Sequence, residues 1–511
     1  MTALIIHGHF YQPPRENPWT GVIEAQPGAA PYHDWNERIH AECYGPNAHV
    51  QIAGAGDQIE KTVNNYANIS FNFGPTLLSW LQLKHPDTYQ NILDADRTSI
   101  VKRSGHGNAI AQAYGHAILP LCNERDRETQ VFWGLADFRY RFGREAESLW
   151  LPETACDEQT LALLIEAGLR FVILAPNQAG SFRSPSGDWQ KVAPGSIDTA
   201  KPYRFIHPDG SGRSIAIFFY DGPSARAIAF EKALTSSRTL VELFVRAAGG
   251  RSSLNVATDG ETYGHHFKFG DLCLAHALEL EAPAAGFRIS NYGEYLDEHP
   301  ATAEVKLAPG EGGKGTSWSC VHGVARWERD CGCHTSGEAG WNQKWRAPLR
   351  TALNFLRDAA ARDFEALGSE LFANPWQVRN ESIQLILDPQ ASREAFLARH
   401  AGGGLNSRDQ WRALMLLEMQ RNSLLMFTSC GWFFSEISGI ETVQVMRYAA
   451  RLIDLSQQLG APLPRTDFLE LLAEAHSNLA ELGSGADVYR SFAEPGSVAT
   501  KSLADAEAKI S

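Results

Sequence analysis

The chain has 511 residues, 44% hydrophobic and 21% charged, an ordinary composition with ample material for a large core. Asp and Glu number 59 against 46 Lys and Arg, and the net charge of −13 argues against a nucleic-acid backbone as partner, which needs clustered cations. Apolar runs such as Ser214–Tyr220 fall far short of the roughly 20 residues of a membrane span, and Met1–Phe10 lacks the basic start of a secretory signal. Eight cysteines are too few for a disulfide scaffold, so reduced thiols in a cytoplasmic protein are expected.

In chain order, Ala3–Ile6 reads as a buried strand running into the polar, proline-rich segment His7–Pro18. Glu158–Ala167 reads as a helix, with Leu161, Leu164 and Ile165 on one face, Asp157 as its N-cap and Gly168 as its stop. Phe171–Leu174, Ser214–Tyr220 and Leu254–Ala257 read as further buried strands. Strand, helix, strand in repetition predicts a parallel sheet with helices outside it, a barrel or a doubly wound sheet. Pro309–Thr316 is glycine-rich and reads as a connection, after which the pattern is helical, as at Val443, Met446, Ala450 and Ile453. From about Gly483 the chain is small and polar and reads as a loosely held tail.

Four segments stand where strand ends are expected, the place where parallel α/β folds keep their chemistry. They are His7 and His9 in His7–Pro14, His106 and His116 in Gly105–Pro120, Glu153 in Leu149–Thr154, and Asp259, Glu261, His265 and His266 in Val256–His266. A carboxylate ending an apolar strand is poorly placed for stability alone and well placed as a nucleophile or base. Glu153 and Asp259 come from different strands, and two carboxylates meeting at one site are what glycoside hydrolysis requires. Trp150, Trp318, Trp327 and Trp432 are candidates to stack on sugar rings. A competing chemistry uses His7, His9, Asp259, His265 and His266 as ligands of a divalent metal, as in a deacetylase or a zinc glycosidase. Cys320, Cys331, Cys333 and His334 form a small cluster that reads as free thiols ahead of a metal site.

These motifs resemble glycoside hydrolase family 57, with its amylase, 4-α-glucanotransferase and branching enzymes. His7–Pro13, Gly105–Pro120, Trp150–Glu153 and Asp259–His265 resemble the family's first four motifs in turn, and Ser317–Cys320 and Ser429–Phe433 resemble segments of its branching-type members. His33–Ile39 and Ser429–Phe434 resemble a sub-branch with an extra C-terminal region of unassigned function. The resemblance implies an incomplete (β/α)7 barrel over residues 1–310, followed by an α-helical domain over residues 311–511 that completes the cleft. It implies a retaining mechanism with Glu153 as nucleophile and Asp259 as general acid/base, acting on an α-glucan, with a non-catalytic α-glucan-binding protein as the third reading. His7, His9, His106, His116, Trp150, Glu261, His265, Trp318 and Trp432 are then expected to line the substrate site, with no metal and no cofactor.

Overall fold

The computed structural model describes residues 1–53, 59–388, 390–401 and 404–494. Seven strands dominate the first part: β1 (Thr2–Phe10), β2 (Ser70–Phe73), β3 (Ala111–Gln112), β4 (Leu149–Trp150), β5 (Phe171–Leu174), β6 (Ser214–Phe219) and β7 (Ser253–Asp259). β1 is longer than the apolar run Ala3–Ile6 suggested, so His7 and His9 lie within the strand instead of beyond it. It is buried along nearly its whole length, as a strand covered on both faces must be.

The strands associate in parallel. β1 pairs with β7 from Ala3↔Ser253 to His9↔Asp259, and with β2 from His7↔Ser70 to Phe10↔Phe73. A bridge Phe71↔Ala109 leads from β2 to the chain entering β3, β3 pairs with β4, a bridge Ser148↔Phe171 leads on to β5, and β5 pairs with β6. Between β6 and β7 no ladder forms among the described residues. Two separate hydrogen bonds stand there instead, from the Asp221 N–H to the Asn255 carbonyl at 2.8 Å and from Asn255 Nδ2 to the Phe219 carbonyl at 3.1 Å. All seven carboxyl ends therefore share one side, which carries Asp259 at the end of β7, Glu153 just beyond β4 and Tyr220 just beyond β6. Beyond β6 the sheet continues through Tyr203–Ile206, antiparallel to β6, then Glu304–Leu307, parallel to Tyr203–Ile206, and then Ala179–Arg183, antiparallel to Glu304–Leu307.

The helices between strands follow their sequence signals. Glu158–Glu166 begins where Asp157 Oδ1 accepts the Thr160 N–H at 2.8 Å, and it stops before Gly168, whose φ of +78° suits glycine. Ser237–Ala248 buries Leu240, Val241, Phe244 and Ala248 along one face and is capped by Ser236.

The chain divides into two compact units. An α/β unit holds residues 1–12, 35–114 and 138–319, and a helical unit holds residues 13–34, 115–137 and 320–511. The last division between the units falls at Ser319/Cys320, and the helical unit also holds two segments from the first part of the chain. Specific polar contacts hold them. Trp19 Nε1 donates to Asp454 Oδ2 at 2.9 Å, and Arg379 donates to Asp126 Oδ1 at 2.7 Å. The helical unit is built on Arg346–Gly368, Ser407–Leu425, Ile440–Gln458 and Arg465–Ala473. Val443, Met446, Ala450 and Ile453 are buried, as their spacing predicts. The segment read as a tail from Gly483 instead forms the helix Gly485–Phe492, started by a reciprocal Ser484/Asp487 cap and anchored by buried Val488, Tyr489 and Phe492. The rest of that tail lies outside the described residues. No described helix is long and apolar enough to cross a membrane.

Candidate active site

Glu153 sits three residues beyond β4, on a backbone held at φ 60°, ψ 20°. A left-handed conformation costs a non-glycine residue of order 1 kcal/mol or more, and such outliers cluster at functional sites. The strain is locked by its neighbours. The Trp318 N–H donates to the Glu153 carbonyl at 3.0 Å, and Trp318 Nε1 and Ser319 Oγ both donate to Glu153 Oε2, at 3.0 and 2.6 Å. Two donors on one oxygen fix the carboxylate's orientation.

Asp259 ends β7, beside His9 of β1. The residue is open to solvent, yet its carboxyl is pushed well above the usual carboxylate range. Loss of hydration among surrounding protein atoms is the first cause, followed by the negative charges of Glu261 and then Glu153. An acid raised by its setting holds a proton that it can deliver. Gly260 follows because nothing larger fits: a Cβ there would come within 2.3 Å of the Phe10 ring. Glu261 is buried, accepting the Tyr11 N–H at 2.9 Å and the Tyr44 hydroxyl at 2.6 Å, and burial lifts its carboxyl to about 7. It thus ties the end of β1 to the Asp259 loop and adds charge beside Asp259.

His7 and His9 are buried and polar-bonded. His7 Nδ1 lies 3.1 Å from Ser70 Oγ and its Nε2 lies 3.0 Å from Asn72 Oδ1, while Asn72 Nδ2 lies 2.9 Å from His9 Nδ1. Both rings stack on Trp150, with centroids at 4.7 and 5.0 Å. Burial lowers both to about 3, so they are neutral rings at ordinary pH. Trp318 stands edge-on to Trp150 at 5.2 Å and to Tyr220 at 6.3 Å, forming an aromatic wall next to Glu153.

The remaining expected residues each have contacts of their own. His106 precedes β3 instead of following a strand. It bonds Glu147 at 2.9 Å and Asp297 at 3.1 Å, and Arg170 pairs with the same two carboxylates. Glu147 and Arg170 come just before β4 and β5, so this ion cluster lies at the amino ends of the strands, opposite Glu153 and Asp259. The assignment of His106 to the substrate site is therefore corrected to a structural one. His265 pairs with Glu42 and meets the edge of Trp35 at 6.1 Å. His116 belongs to the helical unit, where its Nδ1 lies 2.6 Å from Ser429 Oγ. Trp327 and Trp432 are also fully buried there. Trp432 gives its N–H to the Arg346 carbonyl at 3.3 Å, and the Arg350 guanidinium lies 4.0 Å above its ring. Among the described residues, His7, His9, Asp259, His265 and His266 do not gather their ligand atoms into a metal-binding group. Hydrogen bonds to Ser70, Asn72 and Glu42 claim ring nitrogens of His7, His9 and His265 instead. Sequence reasoning missed Ser319, Tyr220, Tyr44 and Asn72. Tyr220 and Asn72 could have been found as polar groups at strand carboxyl ends and Ser319 as a member of the Ser317–Cys320 segment, whereas Tyr44 comes from distant chain with no local signal.

Residues 4–308 match glycosyl hydrolase family 57, and residues 341–511 match a domain of unknown function (DUF3536). The first match covers more than half of the chain, and the protein belongs to glycosyl hydrolase family 57. Its fold is similar to that of an exo-type maltose-forming amylase from a Pyrococcus species, with a TM-score of 0.65 and 15% identity over 93% of this chain and 82% of that one. It is also similar to the branching enzyme of Pyrococcus horikoshii, with a TM-score of 0.53 and 15% identity over 96% of both chains. In sequence it is 24% identical over 107 residues to Alpha-amylase 1 of Dictyoglomus thermophilum, a match spanning 21% of this chain and 15% of that relative's length.

Proposed function

We propose that the protein is a retaining glycoside hydrolase or transglycosylase acting on α-glucans, with Glu153 as nucleophile and Asp259 as general acid/base. We read the run β7-β1-β2-β3-β4-β5-β6 as an incomplete (β/α)7 barrel whose carboxyl-end face holds the reaction. The observation that carries this reading is the pairing of opposed roles. Glu153 is held in a strained position by Trp318 and Ser319, and Asp259 is pushed to retain its proton, in part by the charge of Glu153 itself.

In the first step Asp259 protonates the glycosidic oxygen while Glu153 attacks the anomeric carbon, giving a glycosyl-enzyme and a free glucan end. In the second, ionised Asp259 takes a proton from water or from a sugar hydroxyl, which attacks the anomeric carbon and releases Glu153. Trp318 and Tyr220 offer the apolar surfaces on which sugar rings stack. The amylases and branching enzymes among the similar folds favour an α-glucan. The test is incubation with maltooligosaccharides and amylose, with NMR of the first-formed anomer and chromatography of the products. Retention is expected, with shortened chains indicating hydrolysis and redistributed or branched chains indicating transfer. Inversion would overturn the assignment, and binding without turnover would return the protein to a glucan-binding role.

A further inference from the structure

Within the helical unit, the thiols that the sequence left without a role converge. The ligand atoms of Cys320, His322, Cys331 and Cys333 all lie within 4.8 Å of one another. His322, not the His334 suggested by sequence proximity, completes the set, and His334 Nδ1 turns to the Ser336 carbonyl at 3.3 Å. We propose that these four residues form a structural zinc site.

Geometry carries this assignment. A tetrahedral zinc ion has Zn–S distances of about 2.3 Å and Zn–N distances of about 2.0–2.1 Å, which set neighbouring sulfurs about 3.8 Å apart and sulfur and nitrogen about 3.5 Å apart. Cys320 Sγ and Cys331 Sγ are 3.8 Å apart, and Cys333 Sγ lies 3.5 Å from His322 Nδ1. The same 3.8 Å is far beyond the roughly 2.05 Å of a disulfide, and all eight cysteines are free. Thiolates with one imidazole select zinc over the hard cations that prefer oxygen.

The surroundings fit a bound anionic centre. Backbone N–H groups of His322 and Arg326 face the Cys320 sulfur, and that of Cys333 faces the Cys331 sulfur. Arg346, buried, donates to the Cys333 carbonyl at 2.8 Å and so holds the Cys-x-Cys turn from behind. Four protein ligands leave no open position, which makes the site structural and not catalytic. Binding releases the thiol protons to solvent as the sulfurs become thiolates. Cys320 is the residue directly after Ser319, so the ion would pin the chain just beyond the side chain that holds Glu153.

The test uses the full chain, purified without chelators and analysed by inductively coupled plasma mass spectrometry. About one zinc per chain is expected, and replacing it with cobalt(II) should give the sulfur-to-metal charge-transfer band and strong visible bands of a tetrahedral thiolate site. Cys331→Ser and Cys333→Ser should each lower bound zinc by tenfold or more at a fixed competing chelator concentration, while Cys430→Ser should leave it unchanged. Should the cysteine variants fold poorly, reactivity of the native thiols decides. Zinc should shield three of them from a thiol reagent, and a stronger chelator should expose them. A reduced, folded protein that takes up neither zinc nor cobalt would overturn the proposal, as would full zinc retention in both variants. A Cys320–Cys331 disulfide in the freshly isolated protein would do the same and mark a redox pair instead.

Discussion

Replacing Glu261 by glutamine tests the electrostatics around Asp259. The carboxyl is buried, and burial moves it from 4.5 to about 7, which corresponds to roughly 3 kcal/mol against the folded state once the group must ionise. Below about pH 4.5 the group is protonated in both states and no penalty exists. Between about 4.5 and 7 the folded protein keeps its proton while the unfolded chain loses it, so stability falls as pH rises, and above about 7 the penalty is complete. Glu261→Gln keeps the shape and an acceptor oxygen for both the Tyr44 hydroxyl and the Tyr11 N–H, which share Oε1, but it never ionises. Any lost hydrogen bond gives an offset that does not vary with pH. Chemical denaturation of both proteins from about pH 4.5 to about pH 8 should therefore show the variant gaining roughly 3 kcal/mol on the wild type across that range. The same change removes one of the charges that raise Asp259, so the basic limb of kcat/KM should move to lower pH. Stability curves that stay parallel, with an unmoved basic limb, would refute the reasoning.

Two further predictions concern the groups around Glu153. Ser319→Ala removes a 2.6 Å hydrogen bond to the carboxylate, and at about 1.5–3 kcal/mol for a bond to a charged group, kcat/KM should fall roughly ten- to hundredfold with the melting temperature little changed. Unaltered kinetics would mean that Trp318 and the backbone hold Glu153 without it. His7 and His9, lowered to about 3 by burial, should show neutral ring shifts by NMR at about pH 5. Stability should be lost as pH falls from about 6.5 toward 3, because only the unfolded chain then takes up their protons. Rings that titrate near 6.5 in the folded protein would contradict their buried, stacked setting.

Much of the α/β unit was legible because several of its strands are uninterrupted apolar runs. Ala3–Ile6, Phe171–Leu174 and Leu254–Ala257 all lie in strands, and the last of them ends at Asp259, while Glu153 follows the two-residue strand Leu149–Trp150. The Gly105–Asn108 loop was misread because β3 has two residues and leaves no periodic trace, so a loop before a strand passed for one after it. The recruitment of residues 13–34 and 115–137 into the helical unit rests on partners hundreds of residues away, such as Trp19 with Asp454, and local pattern does not encode these. His322 was passed over in favour of His334 because adjacency in sequence is a poor guide to a turn that folds back between Cys320 and Cys331. The Gly485–Phe492 helix did carry a signal, the Ser484/Asp487 cap, which polar composition outweighed.

The central claim is that Glu153 carries the glycosyl group. Incubation with a 2- or 5-fluoro glycosyl fluoride, followed by proteolysis and mass spectrometry, tests it directly. The protein should gain one glycosyl adduct on the peptide containing Glu153, and Glu153→Gln should gain none and lose turnover. A label on another residue, with Glu153→Gln still active, would contradict it.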